Sequence, residues 1–202
     1  MKISIVQEEF KKNLEYRIID LQTNTIIYKV RANRIIFIGL RKVELYDSHN
    51  AYIAKQKGWF KLVLCSIFSF LGVENLKYNY YENNMQVGYF QRARASIKKN
   101  DVVTGKVKDS AYKVYMHTGN EYSVFVDEKQ VGFIKRSPWK RRNGDKYIVE
   151  LQDSFPINLI SMITLILDLE TNPDDMNLSS YSYSTNWVIG GKKKDNNWKM
   201  GD

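Results

Sequence analysis

The residues best suited to chemistry in this sequence are cations that fall in clusters, one of which encloses a tryptophan. The densest cluster is Lys135-Arg136-Ser137-Pro138-Trp139-Lys140-Arg141-Arg142, with five cations in eight residues. Arg92, Arg94, Lys98 and Lys99 form a second cluster. Arginine and lysine both bind phosphate oxygens, and tryptophan is typical of the lipid headgroup region. The clusters predict a site for anionic phospholipid, and the alternative is an ordinary solvated loop.

Residues that catalyse reactions or hold metals are sparse. The two histidines, His49 and His117, lie beside predicted turns, and Cys65 is the only cysteine. One cysteine cannot build a Cys/His metal set, and the sequence has no Gly-x-Ser-x-Gly motif. The carboxylate pair Asp174-Asp175 lies in a polar tail, where solvated acids are expected. We therefore expect no catalytic residue, no metal and no cofactor, and the sequence favours a protein that is not an enzyme.

A hydrophobic segment over residues 155–169 predicts a helix, with Pro156 in its first turn. Its apolar residues surround it almost completely and include Ile157, Ile160, Ile163 and Leu167. A helix of this kind is buried on nearly all sides. A helix of fifteen residues is about 22 Å long. A bilayer crossing needs about 20 residues, so this segment is short for one. A core helix is therefore favoured over a marginal membrane segment.

Asp168 lies near the end of this helix, where a buried carboxylate needs a partner or a shifted pKa. We expect the helix end to reach the mouth of a barrel and to leave Asp168 hydrated or paired with an arginine. A lipid carrier or an enzyme that acts at this mouth is one alternative function.

The chain before the helix repeats a hairpin pattern of a strand that ends in an acid, a polar turn and a second strand. The four copies occupy residues 16–29, 43–55, 78–90 and 122–135. Aromatic and β-branched residues alternate with polar ones in each copy, as in half-buried strands. Further strands are predicted at 35–38, 102–107, 112–117 and 146–151. The sequence thus predicts a mainly β protein of about twelve antiparallel strands, and a barrel of that width needs an occupant such as the helix.

One apolar insert, residues 58–72, interrupts the hairpin pattern. It is compatible with a strand pair, a short helix or an exposed apolar loop. Trp59 and Phe60 lie beside Lys55, Lys57 and Lys61, a mixture typical of membrane interfaces, although packing in the core is the plainer interpretation. The insert is also a candidate contact for a protein partner, as is the tail.

The formal net charge is +9, and the cations and acids from residue 171 onward cancel. We expect one domain over residues 1–170 and a polar extension over 171–202, with one added strand near 181–189 and then a solvated tail. A basic surface attracts anionic lipid or nucleic acid, but no groove-reading helix or stacking platform is evident, so nucleic acid is disfavoured. One cysteine and the absence of a signal peptide predict a cytoplasmic protein, attached peripherally to the inner face of the membrane.

The later hairpins and the helix together resemble the tubby C-terminal superfamily, which includes the phospholipid scramblases and the LURP-one-related proteins. The resemblance rests on residues 121–136, 146–151 and 155–169, and covers roughly residues 14–170. It implies a twelve-stranded antiparallel barrel around a central C-terminal helix, in a small member of bacterial type. Tubby domains bind phosphoinositides and scramblases are tied to membranes, so the resemblance implies a binding module at a membrane surface. A protein-interaction or inhibitor protein is the main alternative.

Overall fold

A computed structural model describes residues 1–10, 13–33, 41–57, 77–92, 101–117, 120–137, 146–171 and 198. Within these ranges the chain forms twelve strands and one helix. The strands are β1 Lys2–Phe10, β2 Asn13–Asp20, β3 Ile26–Asn33, β4 Lys42–Tyr46, β5 Ala51–Lys57, β6 Lys77–Glu82, β7 Met85–Arg92, β8 Asp101–Val107, β9 Ser110–His117, β10 Glu121–Val126, β11 Lys129–Ser137 and β12 Lys146–Leu151. The helix is α1, Ile157–Thr171.

The twelve strands form a closed antiparallel barrel, which confirms the predicted fold class. Each strand pairs with its neighbours in sequence, and β1 completes the ring by pairing with both β2 and β12. Closure leaves none of these twelve strands with an unpaired edge, which is where sheets otherwise recruit other chains.

The strand that closes the barrel, β1, was not among the strands predicted from the sequence. β1 places Ile3 and Ile5 in the core, and the alternation of these residues with Lys2 and Ser4 is the signal that indicates a strand. Its acidic end, Glu8-Glu9, obscured that alternation. The strand predicted at 35–38, the insert 58–72 and the strand predicted near 181–189 all lie outside the described residues.

α1 occupies the interior of the barrel and is surrounded by the inner faces of the strands. Ile160, Ile163 and Ile166 are completely buried, and Leu167 is nearly so, while Ile157 packs at the margin of the core. The helix begins two residues later than the predicted segment, after Pro156. This position suits a residue that has no N–H to donate within the helix.

We expect Ile163→Asp to unfold the protein, because the substitution places an unpaired charge where the side chain is completely buried. The loss should exceed about 4 kcal/mol, the range of severe single substitutions. Circular dichroism and urea unfolding measure this loss.

Met85→Asp is the matched control, because Met85 is 69% exposed on β7. It should change the free energy of unfolding by less than about 0.5 kcal/mol. Similar unfolding midpoints for the two variants would contradict the position of α1 inside the barrel.

Candidate functional site

The two ends of the barrel differ in the length of their connections. At one end, here the short-turn end, the strands are joined by residues 21–25, 47–50, 83–84, 108–109 and 127–128, and residues 152–156 lead from β12 into α1. At the other, here the basic end, the strands are joined by residues 11–12, 34–41, 58–76, 93–100, 118–120 and 138–145. Because α1 enters the barrel from the short-turn end, its last turn lies at the basic end.

The short turns have the backbone geometry of tight hairpins. Asn83 and Asn84 both have positive φ angles, as do Asp127 and Glu128. Two successive positive φ angles are typical of the type I′ turn, whose twist matches that of the flanking strands. The last of these turns lies one residue earlier than the predicted Glu128-Lys129.

The connections at the basic end carry most of the charge imbalance. They contain eleven cations against two acids, a net charge of +9. The cations are Lys11, Lys12, Arg34, Arg41, Lys61, Arg94, Lys98, Lys99, Lys140, Arg141 and Arg142. The acids are Glu74 and Asp145. Along the sequence, both predicted basic clusters and the predicted interface residues Trp59, Phe60 and Trp139 fall in strand ends or in segments that link strand ends on this side, and most of them lie outside the described residues.

The connections at the short-turn end have the opposite balance, with one lysine against five acids, a net charge of −4. The lysine is Lys108, and the acids are Asp47, Asp109, Asp127, Glu128 and Asp153. The backbone N–H groups of His49 and Asn50 lower the pKa of Asp47, and the N–H of Ala111 lowers that of Asp127. These two carboxylates therefore stay charged below their ordinary titration range.

The predicted lipid-binding residues have different surroundings. Lys135 is exposed on the outer face of β11, 3.6 Å from the carboxylate of Glu121. Arg136 faces Tyr147 across the strand pair, in register with the inner face, and Arg92 is exposed at the end of β7. Four further residues of this prediction lie outside the described ranges: Arg94, Lys140, Arg141 and Arg142. The predicted interface residue Trp139 does so too. Trp59 and Phe60 lie outside them as well.

A buried carboxylate lies inside the basic end of the barrel. Asp168, on the last turn but one of α1, is only 2% exposed. Tyr16 donates a hydrogen bond to its Oδ2 (2.5 Å), and Tyr147 donates one to its Oδ1 (2.6 Å). These tyrosines come from β2 and β12, on either side of the closing strand β1. The carboxylate thus joins the last turns of the helix to two strands that are 131 residues apart in sequence.

An arginine from the basic end binds the same part of the helix. Arg41 Nη1 donates to the carbonyl oxygen of Leu169 (2.8 Å), and its backbone N–H donates to Oε1 of the buried Gln56 (3.1 Å). The last carbonyls of a helix lack partners within the helix and carry the negative end of its dipole. Arg41 satisfies one of these carbonyls and offsets part of that negative charge.

Two further polar residues of α1 have hydrogen-bond partners within the core, whereas the buried hydroxyl of Ser161 has none among the described residues. Asn158 donates to the hydroxyl of Tyr80 (3.1 Å), and Thr164 donates to the carbonyl oxygen of Ile160 one turn earlier (2.8 Å). Burial, followed by the nearby carboxylate of Glu82, raises the pKa of Tyr80 above its ordinary value. The hydroxyl of Tyr80 therefore stays protonated through the physiological range.

The two histidines, His49 and His117, lie in different surroundings and are not grouped with each other in the described part of the chain. His49 lies in the exposed turn after β4, where its N–H donates to Asp47. His117 is buried at the end of β9, with its Nε2 2.8 Å from Ser123 Oγ. Among the described residues, no three His, Cys, Asp or Glu side chains are grouped so that they could hold a metal ion.

Comparison with known proteins finds no matching family model, curated sequence or solved structure. Among the helices of the described ranges, none is both long enough and apolar enough to cross a membrane.

We expect Tyr16→Phe and Tyr147→Phe each to lower the free energy of unfolding by about 1–3 kcal/mol, because each removes one donor from a buried carboxylate. Urea unfolding measures both values. In the double variant the two losses should not add, because both tyrosines bind one carboxylate.

Tyr112→Phe is the control for these variants. Tyr112 is a buried core tyrosine whose ring contacts Phe90 and Phe155 instead. A loss at Tyr16 or Tyr147 no larger than the loss at Tyr112 would show that the hydrogen bonds to Asp168 contribute nothing to stability.

Stability should fall as the pH rises above about 10, the ordinary pKa of tyrosine. Burial and the neighbouring Tyr52 and Asp47 raise the pKa of Tyr28 to about 12, and the pKa of Tyr80 is raised as well. Below pH 10 both residues are protonated in the folded and the unfolded chain. Above it the unfolded chain loses these protons first, so the free energy of unfolding decreases with pH.

The urea midpoint, measured at a series of pH values on either side of 10, tests this expectation. Tyr80→Phe should make the alkaline decrease less steep, because it removes one of the groups that titrate in the unfolded chain. A midpoint that does not change with pH would contradict the raised pKa values.

Proposed function

We propose that this protein is a non-catalytic module that binds anionic phospholipid at a membrane surface through the basic end of its barrel. The observation that carries the proposal is the separation of charge between the two ends. The connections at the basic end have eleven cations against two acids, and those at the short-turn end have one cation against five. A basic surface that faces an anionic bilayer gains about 1 kcal/mol per cation near the headgroups.

The apolar residues of the same connections support binding to a bilayer rather than to a soluble anion. The connection 58–76 contains Trp59 and Phe60 together with Lys61, and the connection 138–145 contains Trp139 next to three cations. Aromatic rings beside cations are typical of segments that enter the headgroup region. The opposite charge at the short-turn end would orient the barrel, since an anionic surface repels that end.

The architecture also supports membership of the tubby-like superfamily. A closed twelve-stranded antiparallel barrel with a buried C-terminal helix is the arrangement that the resemblance implies. In this proposal the protein acts at the inner face of the membrane as a peripheral protein. We place the ligand at the surface of the basic end because α1 fills the axis of the barrel in the described structure.

Sedimentation with vesicles tests the proposal. The full chain should bind vesicles of phosphatidylcholine mixed with an equal amount of phosphatidylglycerol, and should not bind vesicles of phosphatidylcholine alone. Replacing Lys140, Arg141 and Arg142 with Ala should reduce the bound fraction at least about tenfold, since three cations near the surface contribute about 3 kcal/mol. Added salt should weaken binding, because it screens the charges.

A second triple variant controls for the loss of net charge alone. Lys29, Lys106 and Lys129 are exposed and lie nearer the short-turn end, so replacing them with Ala removes the same charge from the wrong part of the barrel. This variant should bind nearly as well as the unmodified protein. Equal losses in both variants would show that net charge alone governs binding. If the unmodified chain binds neither vesicle, the proposal is wrong and a protein partner becomes the better explanation of the surface.

A further inference from the structure

One part of the outer face of the barrel is covered, although its side chains point away from the core. Phe125 on β10 and Gln130 on β11 are cross-strand partners in register with the outer face, yet they are only 6% and 8% exposed. Outward apolar residues near the short-turn end of other strands are open to solvent: Tyr46 is 44% exposed and Ile26 is 46% exposed. The barrel alone therefore does not account for the burial of Phe125.

Phe125 belongs to an aromatic patch that extends across three neighbouring strands. Tyr115 on β9 lies edge to face with Phe125, with ring centroids 5.3 Å apart. Phe133 on β11 is the cross-strand partner of the completely buried Ser123 and lies on the same face. We refer to Tyr115, Phe125, Gln130 and Phe133 as the outer aromatic patch.

A residue from the end of the chain reaches this patch. Trp198 Nε1 donates a hydrogen bond to the carbonyl oxygen of Gln130 (3.2 Å), beside the β-bulge where the register of β10 and β11 shifts. Trp198 is partly buried, and it is the one residue after Thr171 that the structure describes. The sequence predicts a solvated tail here and contains no signal for such a contact.

We refer to residues 172–202 as the arm. The residue before the arm, Thr171, and the partner of Trp198, Gln130, lie at opposite ends of the barrel. α1 ends at Thr171 at the basic end, inside the barrel, whereas Gln130 lies at the short-turn end, two residues after the turn 127–128. The chain must therefore return along about 20 Å of barrel, the axial length of an eight-residue strand tilted by about 40°. The 26 residues between Thr171 and Trp198 reach up to about 86 Å when extended, so the arm is long enough.

The charges on the two partners are complementary. Lys192, Lys193 and Lys194 precede Trp198 by four to six residues, a reach of at most about 20 Å. The turn next to Gln130 carries Asp127 and Glu128, within the acidic set of the short-turn end. Cations near this turn are attracted to it, and salt screens the attraction.

We propose that the outer aromatic patch is a docking surface for the chain's own C-terminal arm, anchored by Trp198. The arm ties the basic end, where α1 stops, to the short-turn end, where Trp198 binds. It covers apolar rings that would otherwise form an exposed patch on the barrel, and such patches are typical of interaction sites. The proposal does not depend on the proposed lipid binding.

A spin label near the end of the arm tests the proposal in the full chain. In a Cys65→Ser background, Gly201→Cys carries a nitroxide, which broadens amide signals close to it in the NMR spectrum. The signals of Lys113, Phe125 and Gln130 should be broadened, and those of Glu44 and Tyr46 on β4, across the barrel, should not. Uniform broadening, no broadening, or broadening centred on another face would overturn the proposal.

Two variants separate the anchor from the fold. Trp198→Ala, outside the barrel, and Phe125→Ala, in the patch, should each reduce the broadening at Gln130 while the other signals keep their positions. Tyr46→Ala is the matched control on the outer face of β4 and should leave the broadening unchanged. A variant of Trp198 that retained full broadening would exclude Trp198 as the anchor.

A mixed sample identifies the occupant. Protein that carries the spin label but no ¹⁵N is mixed with protein that carries ¹⁵N but no spin label. Any broadening of the NMR signals must then come from a second copy of the chain. We expect none at low protein concentration. Broadening in the mixed sample would show that the arm docks on another molecule, and the intramolecular proposal would be wrong.

Discussion

The width of the barrel is the constraint on which the rest of this structure depends. Twelve strands enclose more space than their own inward side chains can fill, and the helix α1 supplies the missing volume. Because strands surround α1, its side chains are buried around its whole circumference, and its larger polar groups need partners from the wall. Asn158 finds Tyr80, and Asp168 finds Tyr16 and Tyr147. These bonds also fix the rotation and depth of the helix, which apolar contacts alone specify weakly.

Much of the architecture was predictable because it depends on local patterns. Alternation between apolar and polar residues, as in residues 77–82, is typical of a half-buried strand. A segment that is apolar all round, as in residues 155–169, is typical of a buried helix. Polar two-residue turns predicted the hairpins for the same reason. β1 was missed because Glu8 and Glu9 mask its pattern, and because one of its two partners, β12, lies more than 130 residues away in the sequence.

The candidate site was less predictable, since it depends on which distant residues meet. An acid near the end of an apolar helix indicated that Asp168 needs a partner, but nothing local identifies Tyr16 and Tyr147 as that partner. The basic clusters were visible one by one. The order of the strands in the antiparallel ring assigns the segments that carry these clusters to the strand ends on one side, and it assigns most acids of the connecting segments to the other side. The contact of Trp198 with Gln130 has no counterpart in the sequence pattern, because it joins segments 68 residues apart.

The pairing of β1 with β12 has a consequence for how the chain is made. Lys2 is paired with Glu150, so β1 leaves the ribosome 148 residues before its second neighbour exists. The helix that fills the interior is synthesised later still. Until then the growing sheet presents an apolar face with nothing to cover it, and a fold dominated by such distant pairings forms slowly. An incomplete chain of this kind exposes apolar strand faces that favour aggregation until β12 and α1 are made.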